Sequence, residues 1–305
     1  MNNKHYSVLL KESIDGLNIR DGGIYVDATL GYGGHSSEIH RRMKRGFQFA
    51  FDEDQDAVDY SSKLFKDVPN ITIVHSNFVN IKEELQKRNV NKIDGIVFDL
   101  GLSSPEIDDA SRGFSFMKDA ILDMRMDRRN EKTARTVVNE YEYADLMDIF
   151  YRYGEEKYSK SIAKNILYNR PINTTMELVE VIKKSVPIKY FNTHHPERKI
   201  FQAIRIEVNE ELNVLSKVLP DVIDMLNPGG RISVITFHSL EDRIVKQTFK
   251  KYSEVDELVK GLPNIPDEFK PTLKIINKKP ILPSDKEISE NSRSKSAKLR
   301  IAERL

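Results

Sequence analysis

Cysteine is absent from this sequence. Disulfides, thiolate zinc sites and any cysteine nucleophile are thereby excluded. Long apolar runs are missing as well. No stretch approaches the roughly 20 residues that a membrane-spanning helix needs, and Met1-Asn2-Asn3-Lys4-His5-Tyr6 leads into no apolar signal region. The expectation is a cytoplasmic protein with no membrane partner. There is little net charge: 48 Lys and Arg against 47 Asp and Glu leave a formal +1, which names no partner. Charged residues make up 31% and apolar residues 39% of 305 positions, the profile of a soluble globular chain with room for two domains.

What is present is organised around residues 23–36. A β-prone run, Ile24 to Val26, ends in Asp27 and opens into a loop with Gly31, Gly33 and Gly34. An amphipathic stretch follows from Ser36. This reads as strand, tight turn and helix, and the free N–H groups of such a helix start hold nucleotide-like cofactors in open α/β sheets. A second strand, Phe47 to Phe51, reaches Asp52 about 20 residues after the loop, where a ribose-binding acid falls. A third run, Ile71 to Val74, leads into His75-Ser76-Asn77-Phe78, and a fourth, Ile93 to Phe98, ends in Asp99 before Leu100-Gly101-Leu102-Ser103-Ser104-Pro105. Four strands with polar or aromatic groups just past their ends predict a parallel sheet with a site on that rim.

From about Pro105 the pattern changes. Asp108 to Phe116 is loop-like, and Leu122-Asp123-Met124-Arg125-Met126-Asp127 is either a solvated turn with a packed side or part of an active site. Helical periodicity runs from Asn139 to Pro187, with a capping box at Thr174-Thr175-Met176-Glu177. One longer helical pattern joins Ile200 to Leu219. Between Lys157 and Arg205, ten basic residues face only three acidic ones, a footprint for phosphate backbones. His194 and His195 have no metal-ligand partners at suitable spacing, so no structural metal is expected. Asn227-Pro228-Gly229-Gly230 then makes a turn before a fifth strand, Arg231 to Phe237, and the chain closes on an alternating strand from Leu299. The expected divisions are 1–107 and 209–305 for the sheet domain and 108–208 for an inserted helical, RNA-carrying domain.

Two cofactors suit the turn. Gly31-x-Gly33-x-x-Ser36 is close to the dinucleotide fingerprint, but Ser36 replaces its third glycine. Asp27 would repel a pyrophosphate and suits a cofactor that bears an amine and a sulfonium. S-adenosylmethionine (AdoMet) is such a molecule, with Asp52 on the ribose, Phe78 against adenine and Asp99 at the methionine end. The alternative, an NAD-dependent oxidoreductase, lacks a clear acid for hydride transfer.

Several long motifs in order carry a more specific resemblance: His5-Tyr6-Ser7-Val8-Leu9-Leu10, Thr29 to Ser36, Asp99 to Pro105, Arg112-Gly113-Phe114-Ser115-Phe116, Leu122 to Asp127, Phe201-Gln202-Ala203-Ile204-Arg205, Phe237 to Arg243 and Leu299 to Arg304. With these the chain resembles the bacterial 16S rRNA cytosine-N4 methyltransferases, the RsmH (MraW) family, over nearly its whole length. The resemblance implies a class I (Rossmann-like) AdoMet-dependent fold, α/β, with a seven-stranded mostly parallel sheet and an inserted all-α domain. It implies AdoMet binding at Gly33, Gly34, His35, Asp52, Phe78, Asp99 and Glu106, the last standing where the family carries Gln. It also implies methylation of a cytosine N4 in the decoding region of 16S rRNA, within the 30S subunit. Lack of cysteine agrees, because C5 methylation normally needs a thiolate on C6 whereas an exocyclic amine attacks directly. Asp99, or backbone carbonyls near Ser103 and Ser104, are the candidates for accepting the N4 hydrogens.

Overall fold

The computed structural model describes residues 7–255, 257–259, 261 and 263–305, so His5 and Tyr6 of the first motif lie outside the described residues. The chain divides into two compact units, Met1–Gly101 with Leu212–Leu305, and Leu102–Glu211. The first half of the sheet unit alternates helix and strand: α1 (Leu10–Leu17), β1 (Ile24–Asp27), α2 (Gly34–Arg42), β2 (Phe47–Asp52), α3 (Gln55–Leu64), β3 (Ile71–His75), α4 (Ile81–Gln86) and β4 (Ile93–Asp99). Strands this short, rich in Ile, Val and Phe, are what a parallel sheet covered on both faces requires.

The second unit is helical: α5 (Ser104–Asp108), α6 (Ala134–Glu140), α7 (Tyr143–Arg152), α8 (Ser159–Tyr168), α9 (Thr175–Lys184), α10 (Ile188–His194) and α11 (Pro196–Asn209). It begins earlier than the expected residue 108, because Ser103 already caps α5 with Glu106. It ends later than residue 208. Glu210 turns left-handed (φ 51°) after α11, and Arg205 donates to both carboxylate oxygens of Glu211 at 2.8 and 2.9 Å. That break divides the pattern from Ile200 to Leu219 into two helices rather than one. The unit has its own core, built on Leu146, Phe150, Ile162, Ile166, Leu178, Ile182, Ile200 and Ile204. Leu122 and Met124 are buried in it, and Asn209 ties that loop down through Met126 N–H and Met124 C=O. The methionine-rich stretch is thus a packed loop of the helical core.

The sheet unit resumes with α12 (Glu211–Met225), β5 (Leu226–Thr236), α13 (Ser239–Ser253), β6 (Leu273–Ile275), α14 (Asp285–Glu290) and β7 (Lys298–Arg304). Residues 227–230, expected as a turn, belong to β5, where the ladder with β4 is irregular between Ile93 and Gly95. The seven strands run in the order β3-β2-β1-β4-β5-β7-β6. All pairings from β3 to β5 are parallel, and β7 runs antiparallel to both neighbours. This is the expected α/β sheet.

Phe98, fully buried on β4, sits in the core with Phe51 and Phe249 and meets the ring of Phe78 edge-on, centroids 5.6 Å apart. Its outward neighbour on the chain is Asp99, so the core position also seats the strand end. Replacing it should leave a cavity under that end. Phe98→Ala is expected to lower unfolding free energy by about 3–5 kcal/mol, read from urea titration, and a loss under about 1 kcal/mol would show that the core closes over the gap.

Candidate cofactor site and RNA-facing surface

Strand register brings the predicted acids to one rim. Asp27 pairs with Ala50 on β2 and Val97 on β4, so Asp52 and Asp99 each stand two residues further out on either side of it. The turn after β1 sits between them. Gly33 caps α2 with φ 79°, a conformation that L side chains rarely adopt, and a Cβ there would lie 2.8 Å from the Phe65 ring. At Gly34 a Cβ would lie 1.8 Å from Ser7 Oγ. The space these two glycines leave is therefore filled by the protein itself. The turn is open only over Gly31, whose N–H donates to Asp52 Oδ2 at 2.7 Å.

Asp27 does not present its carboxylate to a ligand, contrary to the sequence-based expectation. It is fully buried, accepting from Ser36 Oγ at 2.7 Å and from Thr29 N–H at 3.2 Å. That contact explains Ser36 in place of the fingerprint glycine. Burial pushes the Asp27 carboxyl up to about 6, against the hydrogen bonds from Ser36 and Thr29. Asp52 Oδ1 accepts from Asp54 N–H at 2.9 Å. Loss of surrounding water pushes its carboxyl up to about 7, although the two backbone donors oppose this.

Asp99 is the unusual group. Its backbone N–H donates to Thr29 Oγ1 at 2.7 Å, which fixes the strand end. Its Oδ2 lies 3.6 Å from Nδ1 of buried His35, while its buried Oδ1 has no hydrogen-bond partner among the described residues. Burial raises this carboxyl well above the ordinary range, and Asp27, Glu241 and Glu287 add to the effect. A buried carboxylate oxygen left without a partner calls for a donor or a cation. AdoMet carries a cation in its ammonium group, so the acids of this rim fit it. A pyrophosphate would add charge of the wrong sign. Phe78, half-buried after β3, is held by the Asn77 side chain, which accepts from Val79 N–H and donates to Glu53.

Ser103, Ser104 and Glu106 belong to the helical unit. The Ser103 hydroxyl and N–H both donate to Glu106 Oε2 at 2.8 Å, and the other Glu106 oxygen stands 3.8 Å from the Arg112 guanidinium. Glu106 is buried in these internal contacts, and sequence reasoning missed them although Ser-x-x-Glu is a capping signature.

The sequence matches the MraW methylase family over residues 2–305. This chain belongs to that family. Relatives of the MraW-family chain named ribosomal RNA small subunit methyltransferase H include one from Lactobacillus delbrueckii subsp. bulgaricus, 52% identical over 99% of both chains. Another, from Lactiplantibacillus plantarum, is 52% identical over 99% of this chain and 97% of its own. Among solved structures, an rRNA methylase from Streptococcus thermophilus aligns with a TM-score of 0.44 and 12% identity, over 96% of this chain and 95% of that one.

The basic excess of the helical unit is smaller at its surface than in its sequence. Arg170 donates to the Val138 and Tyr141 carbonyls, Arg205 is held by Glu211, and Lys199 stands 3.4 Å from buried Glu156. His195 Nδ1 lies 3.0 Å from Glu197, a carboxylate partner that spacing had not suggested. Lys160, Lys164 and Tyr168 remain exposed at successive four-residue intervals, one face of α8. Lysines beside an open aromatic ring form the kind of stripe on which RNA bases stack.

The acid cluster has a thermodynamic signature. A carboxyl with a raised folded-state value holds its proton in the fold after the unfolded chain, near 3.9, has lost it. The fold is then destabilised as pH rises from about 4 through 7, the window spanned by Asp27 at about 6 and Asp52 at about 7. Asp99→Asn removes one such group and its repulsion on the others. The cofactor-free variant should melt above wild type near pH 8 and converge with it near pH 4; curves that run parallel across that range would show that Asp99 is not under charge strain.

Proposed function

We propose that this chain transfers the methyl group of AdoMet to the exocyclic N4 of a cytosine in the decoding region of 16S rRNA. The reading rests on one observation, the 52% identity over 99% of the chain to small-subunit rRNA methyltransferases. It is an rRNA methyltransferase; the target atom is the finer inference. With no cysteine to add to C6, the pyrimidine ring is not a ready nucleophile, whereas an exocyclic amine is. The reading extends to rRNA assembled in the 30S subunit, in the cytoplasm, with no structural metal.

AdoMet supplies an electrophilic methyl carbon on sulfur. Asp52 would accept from the ribose hydroxyls, Phe78 would lie along the adenine, and Asp99 would pair with the ammonium, which favours its ionised form. The Gly33-Gly34-His35 turn holds the strand ends at fixed spacing. As N4 bonds to the methyl carbon and the carbon–sulfur bond breaks, one N4 proton leaves. Asp99 or the backbone carbonyls at Ser103 and Ser104 are proposed to accept hydrogen bonds from the N4 hydrogens and so orient the amine; the Ser103 carbonyl already receives Ile107 N–H at 3.3 Å. The proton itself passes to a carboxylate or to water, since a carbonyl is too weak a base to keep it. Glu106, committed to its own helix and Arg112, supports the loop instead of the cofactor in this scheme.

The deciding experiment is nucleoside mass spectrometry of unmethylated small subunits treated with the protein and AdoMet. N4-methylcytidine is the expected product; 5-methylcytidine, a ribose methyl, or no transfer would overturn the assignment. Asp52→Ala should weaken AdoMet binding by roughly 1.5–3 kcal/mol, since ribose hydroxyls lose a charged acceptor. Wild-type affinity by titration calorimetry would remove Asp52 from the site.

A further inference from the structure

The C-terminal part of the sheet unit carries a second basic surface, away from the helical unit's lysines in sequence. Residues 276–298 hold six basic side chains, Lys278, Lys279, Lys286, Arg293, Lys295 and Lys298, against Asp285, Glu287 and Glu290. Two of those acids are engaged. Glu287 Oε1 accepts from Leu9 N–H at 2.7 Å, and Glu290 stands 4.0 Å from Lys286. Lys298 is 3.6 Å from Asp242. Lys278, Lys279 and Lys295 are exposed and, among the described residues, have no acidic neighbour within ion-pair distance.

These lysines are fixed to the rim that bears the cofactor acids. β5 pairs Ile235 with Asp99 on one side and Thr236 with Lys298 on the other. The start of β7 is thus two strands from Asp99, roughly 10 Å at the usual strand spacing. Ile281 bridges Leu299, and Asn277 donates to Leu299 C=O while accepting from Ile301 N–H, so the lysine pair is clamped along β7. Ser294, fully buried, anchors the loop around Lys295 by donating to Asn291 C=O at 2.8 Å. The Glu287 carboxylate, accepting from Leu9 N–H, ties α14 to the start of α1 within the same unit. A positive border on the rim that bears Asp99 suits a substrate that is a polyanion with one base offered to that rim.

We propose that Lys278, Lys279 and Lys295 form a second RNA-binding surface, on the strand-end rim of the sheet unit, that holds the phosphates flanking the target nucleotide. The inference rests on the assignment of rRNA as substrate. Phosphate contacts of this kind position the chain and carry the salt dependence, leaving base choice to the pocket.

The test is the triple variant Lys278→Ala/Lys279→Ala/Lys295→Ala, compared with wild type for binding to unmethylated 30S subunits from about 50 to 200 mM salt. The expected result is about tenfold weaker binding at the low end and a log–log salt slope shallower by about 2, as for three lost contacts to single-stranded RNA. AdoMet affinity and melting temperature should be unchanged, and the triple Lys→Arg variant should bind like wild type. An unaltered affinity and slope would overturn the proposal, as would loss of AdoMet affinity or failure of the arginines to rescue. A wild-type protein that neither binds nor methylates the subunits would instead remove the functional reading, and this surface with it.

Discussion

The charge state of Asp99 is governed first by its burial, with Asp27, Glu241 and Glu287 adding to the effect. Asp27 and Asp99 terminate neighbouring strands, while Glu241 and Glu287 approach from α13 and α14. Burial disfavours the ionised form of Asp99, and the neighbouring acids add to that. A ligand cation relieves both at once, so part of the binding free energy of a positively charged cofactor is stored in the fold before the ligand arrives. The hydrogen bonds around the cluster serve that arrangement. Thr29 fixes the end of β4, Ser36 holds Asp27, and Gly31 N–H fixes Asp52.

The same cluster explains why the glycine turn is built as it is. A phosphate-binding turn uses its glycines to bring backbone to the ligand. Here Phe65, Leu64 and Ser7 occupy the room beside Gly33 and Gly34, so these glycines bring the turn to the protein. The result is a turn packed tightly against the protein on the side where a Cβ would stand.

Sequence periodicity and strand-end chemistry made the first four strands, the helical insertion and the row Asp52, Phe78 and Asp99 legible, because each is a local pattern read against one alternation rule. Three features were not. The role of Asp27 depends on its burial and on Ser36, nine residues away, and no spacing announces that a strand-end acid faces inward. The break at Glu210 lies in a run of good helix formers, where a left-handed residue is set by tertiary packing. The surface basic excess shrank because Arg170, Lys199 and Arg205 spend their charge on distant backbone and carboxylate partners that only the fold brings near.

The insertion of the whole helical unit between β4 and β5 also has a consequence for synthesis of the chain. When Asp99 leaves the ribosome, the outer edge of β4 exposes a row of unpaired N–H and C=O groups, and β5 follows only after more than a hundred further residues. At about 5–20 residues per second the edge stays open for roughly 5 to 25 seconds. During that interval the continuous helical unit can complete its own core, while the half-sheet β1–β4 remains a template for pairing with other nascent chains. A discontinuous domain thus entails a transiently open strand edge, closed only when β5 arrives.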